Sequence, residues 1–139
     1  MLNLVVYYSK NKDILNIVRK YREIYQANAY EIQTIDKVTF SDKLFNNKVN
    51  IKRDNLNLNH YQNIILISPL WFNKVPSPVI KFLEQNTGRI NNIIYVLYND
   101  NKKDVPKEFD KMDKILNLRR DKSYFVTLNH KDINVRVYQ

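Results

Sequence analysis

Apolar and polar residues follow one another in short blocks whose period changes along the chain. Runs rich in β-branched and aromatic residues, typical of strands, lie at residues 2–8, 29–35, 63–68, 92–98 and 123–128. Apolar residues recur at helical spacing in the segments 13–27, 77–87 and 105–117. Strands that alternate with helices predict an α/β fold with a mainly parallel sheet.

The ends of these elements carry their own signals. Asp13 is placed to cap the first helix, and Ser77 is placed to cap the helix that has Pro78 at its first position. Gly88 is a typical residue for ending that helix. The connection 36–60 predicts only a short helix near 41–48, and the alternation over 133–138 predicts a return strand after a turn.

Composition removes several classes of site. The chain has 139 residues, enough for the one domain (1–139) that we expect, with no cysteine and a single glycine, Gly88. Disulfides and thiolate chemistry are therefore absent, and the Gly-rich phosphate loops and the nucleophile elbow cannot be present in standard form. His60 and His130 have no ligand partner at metal-binding spacing, so we predict no metal site and no catalytic side chain.

The net charge of +9 favours an acidic partner, although the 20 asparagines and 16 lysines also indicate a compositional bias. Basic residues are spread along the sequence rather than clustered, which disfavours nucleic-acid binding but leaves it as a third hypothesis. The longest aliphatic run, residues 64–67, is too short to span a membrane, and no signal peptide is visible. We expect a cytoplasmic protein.

Ligands of parallel sheets bind at the carboxyl ends of the strands, which points to the loops 9–13, 69–76 and 99–103. The first loop leads into a helix N-terminus and carries lysines, which suits a phosphate, although ordinary loops look the same. Trp71 and Phe72 in the second loop could stack on a flat heterocycle or pack beneath the sheet. Tyr98 could face the same crevice or place its hydroxyl in water.

Two of these segments resemble the flavodoxin family. Residues 5–14, VVYYSKNKDI, are similar to the first strand and phosphate loop of that family. Residues 65–84, ILISPLWFNKVPSPVIKFLE, are similar to its third strand, aromatic flavin loop and following helix, and are the more specific match. The order of elements extends the resemblance over residues 1 to about 128.

The resemblance implies a flavodoxin-like parallel sheet of five strands in the order 2-1-3-4-5, with helices on both faces, that binds FMN non-covalently. The residues that it places around the FMN phosphate are Ser9, Asn11, Lys12, Asp13 and Ile14, and Lys10 of the same loop would add positive charge. Those that it places along the isoalloxazine are Leu70, Trp71, Phe72 and Asn73, with Tyr98, Asn99 and Asp100 on the other side of the ring.

The sequence departs from the family at defined points. Lys12 and Asn73 stand where the family usually has glycine, and Ile14 stands where it usually has a hydroxyl residue. Asn73 tolerates a positive φ better than most residues. No counterpart of the last helix follows the fifth strand, so we predict that this helix is missing or replaced by a hairpin. The charge is basic, whereas flavodoxins in the narrow sense are acidic.

The leading hypothesis is an FMN protein that acts in electron transfer or as a simple flavin reductase, an oxidoreductase role in which the flavin carries the redox chemistry. Its redox partner would be an acidic protein, and their association would weaken with salt. The alternative is a flavodoxin-like domain that has lost FMN and serves as an interaction module. Its unfinished sheet edge could then pair with a partner or with a second copy in a homodimer.

Overall fold

The computed structural model describes residues 2–9, 12–99, 103–129 and 132–138. In this part of the chain one sheet has the order β2-β1-β3-β4-β5-β6. The strands are β1 (Asn3–Tyr7), β2 (Asn28–Glu31), β3 (Asn63–Pro69), β4 (Ile93–Tyr98), β5 (Lys122–Asn129) and β6 (Asp132–Tyr138). The first five are parallel and β6 returns antiparallel to β5, which confirms both the predicted strand order and the hairpin in place of a last helix.

Helices cover both faces of the sheet. They are α1 (Asp13–Tyr25), α2 (Phe40–Phe45), α3 (Ser77–Gln85) and α4 (Lys107–Leu116). The apolar stripe of α1 packs on one face, where it meets β-branched residues of β1, β3 and β4. Residues of α3 and α4 pack on the other face around Tyr95, Phe109 and Phe125. No helix in the described residues is long and apolar enough to cross a membrane.

Three predicted helix ends lie elsewhere. The N-cap of α1 is Lys12, which makes no side-chain cap, and Asp13 is the first helical residue instead. The N-cap of α3 is Pro76, whose extended backbone precedes Ser77. The helix stops at Gln85 rather than at Gly88, because the buried Asn86 side chain donates to the carbonyl oxygen of Phe82 at 2.8 Å.

The second strand is shorter in the structure than the range 29–35 that the apolar pattern predicts. β2 ends at Glu31, and the chain then pairs antiparallel with a later segment through a bridge between Thr34 and Ile51. The short helix expected near 41–48 is α2, and Thr39 caps it through a capping box with Asp42. The connection is therefore held by hydrogen bonds although few apolar residues of it are buried.

The hairpin strand β6 is attached to the loop that precedes α4. The guanidinium of Arg136 donates to both carboxylate oxygens of Asp104, with an Nη2–Oδ1 distance of 2.7 Å and an Nε–Oδ2 distance of 2.9 Å. Tyr138 donates its hydroxyl to the same carboxylate. The hydrogen bonds from Arg136 hold the pKa of Asp104 below its usual range despite partial burial.

Candidate functional site

The sheet order brings the loops after β1, β3 and β4 together at one edge. β1 lies between β2 and β3, and the chain leaves β1 for α1 on one face and β3 for α3 on the other. In open parallel sheets such a reversal of direction is where a ligand crevice forms at the carboxyl ends of the strands. The predicted site residues that the structure describes all follow these three strands, whereas Lys10, Asn11 and Asp100 lie outside the described residues.

The loop after β1 leads directly into α1. Ser9 is half-buried, and the side chains of Lys12 and Asp13 are exposed at the start of the helix. Because Lys12 supplies no side-chain cap, the first turn of α1 presents backbone N–H groups at this edge, in the polarity that suits an anion. Ile14 is 1% exposed and packs in the core, so only its backbone is available to a ligand.

The loop after β3 is a tight turn of four residues. The N–H of Trp71 donates to the carbonyl oxygen of Lys74 at 2.8 Å, and the N–H of Lys74 donates back at 2.9 Å. The two residues between them, Phe72 and Asn73, have φ values of 48° and 67°. Positive φ at both central positions is the signature of a type I′ turn, in which Asn is favourable and Phe is not.

The two adjacent aromatic residues have opposite environments. Trp71 is 2% exposed and packs in the core with its ring centroid 6.0 Å from that of Tyr8. Phe72 is 55% exposed at the tip of the turn, where its ring is nearly perpendicular to that of Phe40 with the two centroids 5.9 Å apart. The placement does not support stacking of Trp71 on a ligand; Trp71 supports the turn from below, and Phe72 presents the free ring surface.

Asn99 connects the loop after β4 to the aromatic turn. This residue is 6% exposed, and its Nδ2 group donates to Asn73 Oδ1 at 3.2 Å and to the carbonyl oxygen of Lys103 at 2.6 Å. Tyr98 precedes it and is 9% exposed, packed on the α1 face of the sheet. The two loops expected on opposite sides of a flavin ring are thus joined by one side-chain amide.

Two residues outside the predicted set hold the segment that follows the turn. Asn46 donates to the carbonyl oxygen of Val75 at 3.1 Å and accepts from the N–H of Ser77 at 2.9 Å. Glu108 of α4 accepts the N–H of Val75 at 2.7 Å. Asn46 adopts φ 49° at the C-cap of α2, a position that favours Asn, but its partners are 29 and 31 residues away and leave no local signal.

The titratable groups at this edge are few. Burial raises the pKa of Tyr8 to about 12, so its hydroxyl stays protonated at neutral pH. His60 is exposed on a 3₁₀ turn far along the chain from the three loops, and His130 lies outside the described residues. Among the described residues no group of three metal-ligating side chains lies together. The site therefore offers hydrogen-bond donors, lysines and one exposed ring.

The donor set at this edge suits a phosphorylated planar molecule such as FMN. Backbone N–H groups at the start of α1, the Ser9 hydroxyl and the Lys12 ammonium are phosphate ligands in chemistry. Phe72 offers a ring face beside polar Asn73 and Asn99, which matches the mixed apolar and polar surface of an isoalloxazine. The residues present fit the group.

No family model matches the chain, and no curated protein matches it. The fold, by contrast, is similar to several solved structures.

A flavoprotein from Lactobacillus acidophilus NCFM, solved in complex with FMN, superposes with a TM-score of 0.69 at 19% identity, covering 91% of each chain. The apo-form of the flavoprotein from the same organism gives a TM-score of 0.70 at 15% identity over 94% of this chain and 93% of that one. A Bacteroides uniformis protein, provisionally named a flavoprotein, gives 0.76 at 17% identity over 91% and 90%. At these identities the likeness shows the flavodoxin-like fold.

Proposed function

We propose that this protein binds FMN non-covalently at the carboxyl edge of β1, β3 and β4 and serves in electron transfer or as a simple flavin reductase. The observation that supports this most is that the N-terminus of α1, where Lys12 makes no side-chain cap, and the exposed Phe72 follow two neighbouring strands, β1 and β3, at the same edge of the sheet. The flavoprotein of Lactobacillus acidophilus with the same fold was solved with FMN, which agrees with the proposal.

The phosphate would be held at the start of α1. Ser9, Lys12 and the backbone N–H groups of Asp13 and Ile14 would bind it, with Lys10 and Asn11 expected from the sequence to add donors. Lys12 stands where the flavodoxin family usually has a glycine, which lets the backbone approach the phosphate closely. In this protein the lysine would attract the phosphate by its positive charge instead. The negative charge of Asp13 in the same turn opposes the phosphate, so we expect affinity that depends on the lysines and falls with salt.

The isoalloxazine would lie along the tip of the aromatic turn. Phe72 supplies the ring contact, and Leu70 and Asn73 flank it. The sequence places Tyr98, Asn99 and Asp100 on its other side; because Tyr98 is buried and Asn99 bonds to Asn73 at 3.2 Å, a ring between the two loops would have to displace that bond. When bound, FMN supplies the one- or two-electron redox chemistry; the protein positions the ring and partly excludes water from it.

Exposed lysines surround this edge and favour an acidic redox partner. Lys12, Lys74 and Lys103 come from the three loops of the crevice and are all exposed. Their positive potential would steer a negatively charged partner toward the flavin and would be screened at high salt. We expect the association rate to fall as ionic strength rises.

The test is a titration of the purified protein with FMN, followed by flavin fluorescence and by the visible spectrum. We expect saturable binding that Phe72→Ala weakens and Phe45→Ala does not. Phe45 is a matched control because it is an exposed phenylalanine (71%) on α2 that is not among the predicted site residues. Equal effects of the two substitutions, or no binding at all, would contradict the proposal.

An interaction module without flavin is the second candidate. Its support is the exposure of large apolar side chains on α2: Phe40 is 69%, Leu44 46% and Phe45 71% exposed, and the ring of Phe72 meets Phe40. Contiguous exposed apolar residues of this kind typically mark binding surfaces. A colourless protein that FMN does not stabilise against heat, combined with self-association that Phe45→Ala abolishes, would favour this candidate.

A further inference from the structure

A groove of about 450 Å³ lies at the carboxyl end of β2, beside the crevice of the proposed flavin site. It is lined by the start of the long connection after β2, including Lys37, Lys43 and Lys52 together with Gln33 and Thr34. The sequence pattern gave these lysines no role, because they lie in the least regular stretch of the chain. The fold brings all three to one concave surface.

Backbone pairing fixes one wall of the groove. The N–H of Lys52 donates to the carbonyl oxygen of Gln33 at 2.7 Å, and the N–H of Ile35 donates to Asn50 at 3.0 Å. These bonds flank the bridge between Thr34 and Ile51. The Ile51 side chain is 6% exposed and packs in the core. Lys52 and Gln33 are therefore held side by side on a short antiparallel ribbon that is anchored in the core.

The capped helix α2 fixes the opposite wall. Thr39 accepts the N–H of Asp42 at 3.2 Å and donates its own N–H to the Asp42 carboxylate at 2.9 Å. The second oxygen of that carboxylate accepts from Asn47 at 3.2 Å. This carboxylate is engaged within the helix, and Lys43, the next residue, lines the groove.

The charge of the groove is positive. Three lysines face a single carboxylate, Glu31, which also accepts a hydrogen bond from Gln33 at 3.3 Å. Within the described ranges, neither Lys37 nor Lys52 has a carboxylate at ion-pair distance. Tyr8 and Ile32 line the groove as well, and Ile32 is 2% exposed. Ammonium groups, an amide, a hydroxyl and an apolar surface together match a phosphorylated organic molecule.

We propose that this groove binds the phosphate group of a small organic molecule through its lysines, beside the phosphate loop at the start of α1, with which it shares Ser9 as a lining residue. Lys37, Lys43 and Lys52 contribute the charge, and Gln33 and Thr34 contribute neutral hydrogen bonds. The site does not require FMN, because the ribbon and α2 carry its lysines, and its lining meets the phosphate loop at Ser9. It would place a second, phosphorylated molecule next to the crevice.

The test is a titration of the full chain with inorganic pyrophosphate in metal-free buffer, with sodium chloride added to keep ionic strength constant. We expect saturable binding that Lys37→Gln and Lys52→Gln each weaken roughly three- to fivefold, the range for one partly exposed charge pair. Lys48→Gln is the matched control, because it removes the same charge from the same connection outside the groove lining. Circular dichroism and urea unfolding of each variant check that the exposed substitutions leave the fold intact.

Amide chemical shifts of the wild-type protein give a second readout that needs no variant. Pyrophosphate is expected to shift the amides of Gln33, Thr34 and Lys52 more than those of Asp13 and Ile14. Equal weakening by Lys48→Gln, the absence of saturation, or a larger effect of Lys12→Gln than of Lys52→Gln would overturn the proposal. The last result would place the probe on the α1 loop, where FMN displaces it, and would leave the flavin proposal untouched.

Discussion

Trp71 and Phe72 are adjacent in the sequence, and the structure predicts that their replacement has opposite consequences. Trp71 is 2% exposed in the core, whereas Phe72 is 55% exposed on the turn. We therefore expect Trp71→Ala to reduce stability strongly, and Phe72→Ala to leave stability almost unchanged while it weakens FMN binding. The comparison separates a supporting role beneath the loop from contact with the ligand.

The magnitudes follow from burial and hydrogen bonding. Truncating a buried Trp to Ala costs about 3–5 kcal/mol of unfolding free energy, from lost transfer energy and the cavity that remains. For Phe72, more than half of which is already exposed, the corresponding loss is about 1 kcal/mol or less.

The conservative change Trp71→Phe gives a sharper test. The Trp71 Nε1 group is buried and finds no hydrogen-bond partner among the described residues. Removing this N–H group removes the cost of about 1–3 kcal/mol of burying it without a hydrogen bond. That gain offsets much of the packing energy that is lost with the smaller ring. We therefore expect Trp71→Phe to unfold within about 1 kcal/mol of the wild type, far from the alanine variant.

Urea unfolding followed by far-ultraviolet circular dichroism measures all three variants on one scale. Fluorescence is unsuitable for the comparison because Trp71 is the only tryptophan of the chain. FMN titration of the folded variants then gives the binding half of the comparison. A loss below about 1 kcal/mol for Trp71→Ala, together with a large loss of FMN affinity, would refute the buried placement and restore Trp71 as a ring contact.

Substitutions at three further positions test the interior, the hairpin and the turn after β3. Tyr95→Phe removes a buried hydroxyl without a partner in the described residues. We expect it to raise the free energy of unfolding, measured with urea, by about 1 kcal/mol or to leave it unchanged. Asp104→Asn is expected to cost about 1 kcal/mol at pH 7, since partial exposure screens its pair with Arg136. The pKa of Asp104 is lowered in the folded protein, so the stabilisation by its carboxylate is fully present above the unfolded pKa of about 3.9. This stabilisation is lost as the pH falls through the folded pKa. The unfolding free energies of wild type and Asp104→Asn, measured with urea at decreasing pH, should therefore converge in acid. At Asn73, where φ is 67°, Ala should be about 1 kcal/mol less stable than Gly, and equal unfolding midpoints would contradict the left-handed backbone there.

The fold followed from the sequence because its central strands are nearly continuous apolar runs. Residues 64–67 are four consecutive branched apolar residues that are 0–1% exposed, and a strand buried on both faces has few other interpretations. The strand order came from the resemblance, and the return strand came from alternation over 133–138. These are strong local patterns, which tertiary contacts reinforced rather than altered.

The site was harder to predict because its decisive contacts join distant residues. Nothing near Trp71 or Phe72 in sequence distinguishes which ring is buried, since that depends on the turn that puts Phe72 at φ 48°. Asn46 and Glu108 hold Val75 from 29 and 33 residues away. The end of β2 was overestimated for the same reason, because the pairing of Thr34 with Ile51 competes with continuation of the strand.

The hairpin explains how the chain retains the fold without a last helix. β5 is buried along its centre, with Phe125 and Val126 both 0% exposed, and such a strand cannot serve as a sheet edge without leaving backbone groups unpaired. β6 supplies those hydrogen bonds along seven register pairs, from Asn129 and Asp132 to Ser123 and Tyr138.

Both faces of this hairpin are then fastened to the body of the protein. On the α1 face, the ring of Tyr124 lies 5.9 Å from that of the buried Tyr21. On the α4 face, Arg136 and Tyr138 bind the single carboxylate of Asp104, next to the loop that carries Asn99. Because the loop from β4 to α4 contributes both Asn99 and Asp104, loosening β6 should also loosen one wall of the crevice. The strand that replaces the helix therefore stabilises the carboxyl edge as well as the sheet.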